Sequence, residues 1–226
     1  MSFMKTNTVN ITVDGQTYNS LTDFGLAIGN TDYIGEPVQP ASLIFVPGRE
    51  KPLDLMDSVF GKQYFTHRKI KINFGAVNPA ESWDSVMSNF RNLFSGKTVM
   101  LTFANDPDWY WTGRAQLTGF KRRRGLGEFT LDIPYADPYK YKIVLTEYEV
   151  IPASIGRSQI CVNDRMSVIP NFYATNVCTL AFGNITKTLQ VGNNSFMDIV
   201  FEQGNNEVIL TGTVGTVTIS YREGRL

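Results

Sequence analysis

Cysteine and histidine are scarce in this chain, and their scarcity excludes several kinds of site. The two cysteines, Cys161 and Cys178, are too few for a disulfide framework and too isolated for a zinc site. The single histidine is His67, and the sequence contains no His-Glu-x-x-His, Gly-x-Ser-x-Gly or phosphate-binding glycine-loop motif. We therefore expect two reduced, buried cysteines, a histidine at the start of a strand or at an interface, and a protein that is not an enzyme.

An excess of charge and long apolar runs are also missing. Lys and Arg together number 21, as do Asp and Glu, so the formal net charge is zero. General binding to nucleic acid or to a membrane surface needs a positive field, which this composition does not supply. No run of about 18 apolar residues is present to span a membrane. The first seven residues have no apolar segment of the kind found in secretory signals, so we expect synthesis in a cytoplasm.

The acidic residues form no recognisable catalytic or metal-binding motif. Those nearest to aromatic residues are Asp106, Asp108, Asp132 and Asp137. Hydrolysis by carboxylates alone stays open, because paired acids have no fixed spacing in sequence. Asp106-Pro107-Asp108, however, is typical of a turn and lacks the further oxygen ligands that calcium requires. We expect no cofactor and no bound metal.

One segment carries strong helix signals. Asn78 is a typical N-cap, Pro79 suits the first helical turn, and Glu81 stands three residues after the cap. The apolar residues that follow at spacings of three and four are Trp83, Val86, Met87, Phe90, Leu93 and Phe94. Gly96 stands where a left-handed C-terminal cap is expected. The pattern predicts a helix over about 79–95 with one buried face.

Most of the remaining sequence alternates apolar and polar residues, which predicts strands. In the first part the predicted strands are 9–13, 68–74, 98–103, 115–121 and 128–135. In the last part they are 143–150, 177–182, 188–191, 197–201, 207–211 and 214–221, separated by turns that include Gly192-Asn193-Asn194 and Gly204-Asn205-Asn206. A boundary near residues 138–141 separates a sheet-plus-helix module, 1–141, from an antiparallel β-sandwich, 142–226.

Two clusters are candidate binding surfaces. The basic run Lys121, Arg122, Arg123 and Arg124 lies at the tip of the hairpin predicted for 114–135. These cations could contact phosphate, remain solvated or pair with acids of a neighbouring subunit. The aromatic run 109–111 could stack a sugar or a base, but alternation favours Trp109 and Trp111 on one packed face. We take Lys121, Arg122, Arg123 and Arg124 as the candidate interface with another protein subunit.

The order of these pieces resembles a known family. In chain order they are Pro47-Gly48-Arg49, Leu53-Asp54-Leu55, the strand 68–74, the helix, the strand 97–104, Asp106-Pro107, the hairpin and the closing segment Tyr135–Tyr141. This series is similar to the N-terminal module of the distal tail proteins (Dit) of bacteriophages with long non-contractile tails. Residues 204–208 and 212–224 are similar to the end of the galectin-like domain that many of those proteins carry. The resemblance covers nearly the whole chain.

The resemblance implies a structural virion protein of the tail tip or baseplate. Residues 1–141 would form a tail-tube-like β-sandwich that assembles into a hexameric ring, and residues 142–226 a galectin-like β-sandwich outside it. The ring would join the tail tube protein to the tip or hub protein and, in some phages, scaffold receptor-binding proteins. DNA would pass through its channel without sequence-specific binding. Neutral charge and 12% aromatic residues fit a ring subunit with large contacts.

A carbohydrate-binding adhesin acting through residues 142–226 is the second hypothesis. Galectin-type sites usually place a Trp under the sugar, whereas Trp83, Trp109 and Trp111 all lie in the first part of the chain. The last part also lacks the long insertions that carry sugar-binding modules in extended family members. A galectin-like fold does not by itself establish sugar binding. A third hypothesis, a cell-wall hydrolase, has no motif in its support.

Overall fold

Antiparallel strands make up most of the chain, which divides into two units, Met1–Pro138 and Tyr139–Leu226. The computed structural model describes residues 8–29, 33–40, 43–48, 50–54, 65–76, 83–123 and 126–226. Over these residues the mainly β fold class predicted from the sequence is confirmed, and the one α-helix is α1, Trp83–Phe94. Within these described residues no helix is long and apolar enough to cross a membrane.

The first unit consists of two larger antiparallel sheets, one two-stranded sheet and α1. Its strands are β1 (Val9–Val13), β2 (Gln16–Asn19), β3 (Leu26–Ile28), β4 (Tyr33–Ile34), β5 (Leu43–Ile44), β6 (Leu53–Asp54), β7 (Arg68–Ala76), β8 (Thr98–Phe103), β9 (Trp109–Arg114), β10 (Gln116–Arg123) and β11 (Leu126–Ala136). One sheet has the order β2-β1-β8-β9, and the other has the order β10-β11-β7-β3 with β4 also on β7. Strands β5 and β6 form a separate two-stranded sheet.

The core of the first unit contains an aromatic cluster on the apolar face of α1. Phe90 and Phe94 are fully buried, and the centre of the Phe90 ring lies 5.6 Å from that of Phe74 and 5.0 Å from that of Phe129. Burying each such ring stabilises the fold by about 1.5–3 kcal/mol, and paired rings add about 0.5–1.5 kcal/mol. The predicted apolar stripe is therefore the face that holds the helix on the sheets.

The C-terminal end of the predicted helix is confirmed. Gly96 has a φ of +81°, a left-handed conformation that favours glycine, and its N–H donates to the carbonyl of Ala115 at 2.8 Å. The predicted N-terminal signals, Asn78, Pro79 and Glu81, lie outside the described residues.

The second unit is a two-sheet sandwich. Its strands are β12 (Lys140–Lys142), β13 (Thr146–Val150), β14 (Arg157–Asn163), β15 (Asn171–Ala174), β16 (Cys178–Phe182), β17 (Ile185–Leu189), β18 (Gly192–Ser195), β19 (Gly204–Thr211), β20 (Val217–Tyr221) and β21 (Gly224–Arg225). The sheets have the orders β13-β20-β15-β18 and β14-β19-β16-β17, and β12 pairs with β21. Cys161 and Cys178 are free and buried in its core, as predicted. Burial raises the pKa of Cys161 to about 12.

Several strand predictions for the second unit are wrong. The segment 197–201 is a turn followed by irregular chain, with a single bridge between Phe201 and Val168. The segment 192–195, predicted as a turn, is strand β18, and strands β14 and β15 are absent from the sequence prediction. Hydrogen bonds from the Asn206 side chain explain the first error. They occupy the N–H and the C=O of Glu202, which a continued strand would pair with a neighbouring strand.

Candidate assembly surfaces

The basic run lies at the end of the β10–β11 hairpin. The backbone register places Lys121 opposite Glu128, Arg122 opposite Gly127 and Arg123 opposite Leu126. Lys121 is exposed, whereas Arg124 lies outside the described residues, as do the side chains of Arg122 and Arg123. The fold thus carries the predicted cluster to the tip of a hairpin, where a cation can meet a second molecule.

Strand β10 is an edge strand with a bulge just before the basic tip. Its register with β11 shifts between Thr118 and Lys121. Gly119, inside the shift, has a φ of +67°, where a side chain would be strained, and an added Cβ would lie 3.3 Å from Oγ1 of Thr130. A bulge twists the edge of a sheet and interrupts its regular row of unpaired backbone groups. Near the tip of the hairpin a second protein would therefore contact side chains rather than a row of unpaired backbone groups.

An exposed apolar arm is a second candidate surface. We use this name for residues 43–46, Leu-Ile-Phe-Val, which begin in β5 and precede the turn at Pro47-Gly48. All four side chains are exposed, and Phe45 is 80% exposed. The arm is absent from the sequence predictions, although its signal was present as four consecutive apolar residues before Pro47-Gly48. Contiguous apolar surface of this kind marks sites of protein contact.

Arg68 is a buried cation that packs on an aromatic ring. Only 5% of the residue is exposed, and its guanidinium carbon lies 4.3 Å from the centre of the Trp111 ring. Its Nε donates to the carbonyl of Pro138 at 2.8 Å, while its Nη2 is buried without a partner in the described part of the chain. Burial lowers the pKa of Arg68, and the charge of Glu36 opposes that effect. This side chain anchors the last residue of the first unit.

His67 lies at the start of β7, as predicted, and beside an exposed tyrosine. Its ring centre lies 5.1 Å from that of Tyr135, and its Nδ1 lies 3.0 Å from the Thr66 hydroxyl oxygen. These contacts are those of a surface aromatic pair. Among the residues that the structure describes, they include no carboxylate that would orient the imidazole for general-base work.

Of the candidate acids, two lie in one turn and a third lies on a strand of the first unit. Asp106 and Asp108 lie in the turn between β8 and β9, where the Asp106 N–H donates to the carbonyl of Phe103 at 3.0 Å. Asp132 lies on β11 with Oδ2 3.7 Å from Nζ of Lys69. Over the ranges that the structure describes, no group of three or more His, Cys, Asp or Glu residues could hold a metal ion.

The aromatic run at 109–111 is part of the fold. Trp109 and Trp111 are buried on one face of β9 and Tyr110 faces the other way half-buried, so the predicted alternation is confirmed. Neither indole is placed to stack an exposed sugar or base.

Comparison with solved structures identifies the fold. The crystal structure of the Dit protein (gp 19.1) of phage SPP1 aligns with 96% of this chain and 99% of its own, with a TM-score of 0.63 and 15% sequence identity. That protein is described as a paradigm of the hub adsorption apparatus in phages that infect Gram-positive bacteria. No protein-family profile and no curated protein sequence matches the chain. The resemblance expected from the sequence thus holds at the level of the fold.

Proposed function

We propose that this chain is a distal tail subunit, a structural virion protein whose hexameric ring joins the tail tube to the tail-tip or baseplate proteins. The observation that carries the proposal is the structural match to the SPP1 protein, which covers 96% of this chain and so includes most of both units. A match to a single β-sandwich would say little about function, since proteins with that fold have many different functions. A match over nearly the full length of both chains is more specific than that.

The subunit contacts of the ring lie in residues 1–141. The apolar arm supports this assignment, because burying Ile44 and Phe45 against a neighbouring copy would stabilise the assembly by about 1.5–3 kcal/mol for each fully buried side chain. In a ring every copy uses two different patches, so an arm on one subunit meets a different surface on the next. The basic tip Lys121–Arg124 supplies a second contact, with acids of a neighbouring subunit or of the tail tube.

The second unit is a galectin-like sandwich that carries or positions receptor-binding proteins. The partners of the whole chain are its own copies, the tail tube protein and the tip or hub protein, and its location is the tail tip of the virion. DNA passes through the ring and is not bound in a sequence-specific way. This is an assembly role, which needs no reaction at any site of the chain.

The test is the oligomeric state of the full chain, measured by sedimentation velocity and negative-stain electron microscopy over a range of concentrations. We expect six-fold rings with an open centre. We expect the double variant Ile44→Asp, Phe45→Asp to stay monomeric, because each charge must be desolvated at the contact. Met197→Asp is the matched control, since Met197 is 88% exposed in the second unit. A wild-type chain that stays monomeric at every concentration, alone and with purified tail tube or tip protein, would contradict the proposal.

A further inference from the structure

Strands β5 and β6 form a two-stranded ribbon that is separate from the two larger sheets of the first unit. The ribbon pairs Leu43 with Asp54 and Ile44 with Leu53, and the apolar arm continues from it into Phe45. Leu43 is 52% exposed and Phe45 is 80% exposed. An isolated ribbon of two strands is marginally stable in water and needs packing against another element. Because the arm is exposed in the single chain, we expect the surface that covers it to belong to a second molecule.

The first unit also has a groove between β2 and α1, which we call the helix groove. Its volume is about 700 Å³, and Tyr18, Phe24 and Leu93 form its half-buried apolar floor. The ring centre of Phe24 lies 6.0 Å from that of Tyr18 and 5.1 Å from that of the buried Phe90. A further ring that entered the helix groove would join this cluster at the distances that aromatic pairs prefer. The groove can therefore bury an exposed apolar side chain of another molecule.

Exposed polar side chains border the apolar floor of the helix groove. Asn89 and Asn92 lie three residues apart on α1, which makes them neighbours on the helix surface. Asp23 lies in the turn that follows β2, and its Oδ2 accepts a hydrogen bond from the Asn19 N–H at 2.7 Å. That bond holds the carboxylate at the rim. The rim thus presents two amides and one negative charge around an apolar centre.

The arm is followed by charges that match this rim. Glu50 and Lys51 are exposed and lie in the connection between β5 and β6. A carboxylate can accept hydrogen bonds from the amides of Asn89 and Asn92, and an ammonium group can pair with Asp23. An apolar arm with both signs of charge behind it therefore fits the apolar floor and the polar rim of the helix groove together.

Another groove of the first unit, over β7 and β11, fits the arm less well. Its volume is about 480 Å³, and its lining includes Asn73, Lys121, Glu128 and Thr130. The Thr130 hydroxyl donates to Oδ1 of Asn73 at 2.7 Å. Apolar side chains placed there would remove water from these polar and charged groups without replacing its hydrogen bonds, which costs free energy. Of the two grooves, the helix groove is the better acceptor for the arm.

We propose that the apolar arm of one copy lies in the helix groove of the next copy, with Phe45 packed against the rings of Tyr18 and Phe24. This inference rests on the proposed ring and names the surface that the arm meets there. Arm and groove are two different patches of one unit, so the contact is head-to-tail and can repeat from copy to copy until a ring closes. A contact of arm against arm would be isologous and would stop at a dimer.

Sedimentation velocity of the full chain, under conditions in which the wild type forms rings, tests the inference. The groove variant Asn89→Arg, Asn92→Arg places two cations at the rim, where they would have to be desolvated under the arm and would repel Lys51. We expect association to weaken by about tenfold or more, with loss of rings. Arg has a higher helix propensity than Asn, so α1 should persist, and an unchanged tryptophan fluorescence transition in urea checks the fold.

Ser88→Arg is the matched control for the groove variant. Ser88 is an exposed position of the same helix and is not among the residues that line the groove. The added charge is of the same kind, so we expect Ser88→Arg to form rings like the wild type.

Mixing two variants tests whether arm and groove belong to different copies. The arm variant Ile44→Asp, Phe45→Asp keeps an intact helix groove, and the groove variant keeps an intact arm. We expect each variant alone to stay monomeric. An equimolar mixture should form dimers that do not extend, because the arm of the groove variant can enter the groove of the arm variant and every other pairing is broken.

Three results would overturn the inference. The first is a ring population in the groove variant equal to that of the wild type, and the second is a mixture that associates no more than either variant alone. The third uses Gly75→Arg, which fills the other groove without a clash, because an added Cβ at Gly75 meets no atom within 4 Å. Loss of rings in Gly75→Arg with their persistence in the groove variant would place the arm over β7 and β11.

The wild type separates this inference from the proposed function. A wild-type chain that forms no rings, alone or with its partners, rejects both. Wild-type rings that persist in the groove variant reject the arm-in-groove contact and leave the assembly role standing.

Discussion

Asn194 and Asn206 occupy the same position in two Gly-Asn-Asn segments, each at the start of a strand, and make the same set of hydrogen bonds. The Asn194 amide contacts the N–H and C=O of Gln190 and the carbonyls of Gly192 and Phe172. The Asn206 amide contacts the N–H and C=O of Glu202 and the carbonyls of Gly204 and Cys161. In each case one side chain closes the turn and ties it to the neighbouring strand, so β18 and β19 begin by the same device.

We expect Asn206→Ala to destabilise the second unit by about 2 kcal/mol and Asn194→Ala by about 1 kcal/mol. Asn206 is buried, so its loss leaves backbone groups without water or another partner, whereas water can reach those around the more exposed Asn194. Urea unfolding followed by far-ultraviolet circular dichroism measures the difference. All three tryptophans lie in the first unit, so the tryptophan fluorescence transition should stay unchanged and serves as the control. An equal loss of unfolding free energy in the two variants would contradict the explanation by burial.

The hydroxyl of Tyr221 links the two sheets of the second unit and makes its stability depend on pH. It donates to the carbonyl of Val162 at 2.5 Å, and burial is the main cause of the raised pKa of Tyr221. In the unfolded chain this phenol loses its proton near pH 10, whereas in the folded chain it keeps it. The unfolded state therefore binds fewer protons above pH 10, and the free energy of unfolding falls as pH rises through that range.

We expect Tyr221→Phe to lower the free energy of unfolding by about 1–2 kcal/mol at pH 7 and to flatten its decline above pH 10. Unfolding in urea between pH 7 and 10.5 measures both effects. Tyr148→Phe is the comparison variant, because the Tyr148 hydroxyl accepts a longer hydrogen bond, 3.3 Å from the Val162 N–H, and is a lesser cause than burial of the raised pKa of Tyr221. A Tyr148→Phe variant that loses as much stability as Tyr221→Phe would argue against the central role of the Tyr221 bond.

Local signals predicted those parts of the fold that local chemistry determines. The helix ending at Phe94 and the strands at 9–13, 68–74 and 98–103 follow from capping and alternation, and the structure has them. At 197–201 alternation predicted a strand, whereas the segment is irregular even though Ile199 and Phe201 are fully buried. Alternation could not show that the Asn206 side chain, from a later segment, holds the backbone at Glu202 out of a strand ladder.

The candidate surfaces were less accessible to sequence reasoning, for a physical reason. The basic tip is a run of neighbours and was found as such. On one outer sheet face of the second unit, residues of four strands that are distant in sequence come together, and along any single strand Tyr173 or Glu149 has the pattern of an ordinary solvent-facing position. Only the register brings them into one row.

We expect Arg68 to stabilise the first unit more through the packing of its side chain than through its positive charge. Arg68→Ala removes the packing on Trp111 and the donor to Pro138, and should cost about 3 kcal/mol. Arg68→Met keeps an apolar chain of similar length and no longer buries a charge, so it should cost only about 1 kcal/mol. Tryptophan fluorescence during urea unfolding measures both, with the exposed Arg91→Met as a control that should change little. A methionine variant as unstable as the alanine variant would show that the charge itself is needed.

Substitutions at the basic tip, Lys121–Arg124, test assembly without disturbing the fold. The triple variant Arg122→Glu, Arg123→Glu, Arg124→Glu should keep the unfolding transition of the wild type, since exposed charges change stability by about 0.5 kcal/mol or less each. We expect it to lose rings or docking to the tail tube, because repulsion replaces attraction to the acids of the neighbour. The matching triple change to Gln separates the two causes, and should weaken assembly less than Glu does. Sedimentation velocity and tube-binding assays measure both variants, and a ring population in the Glu variant equal to that of the wild type would remove the tip from the interface.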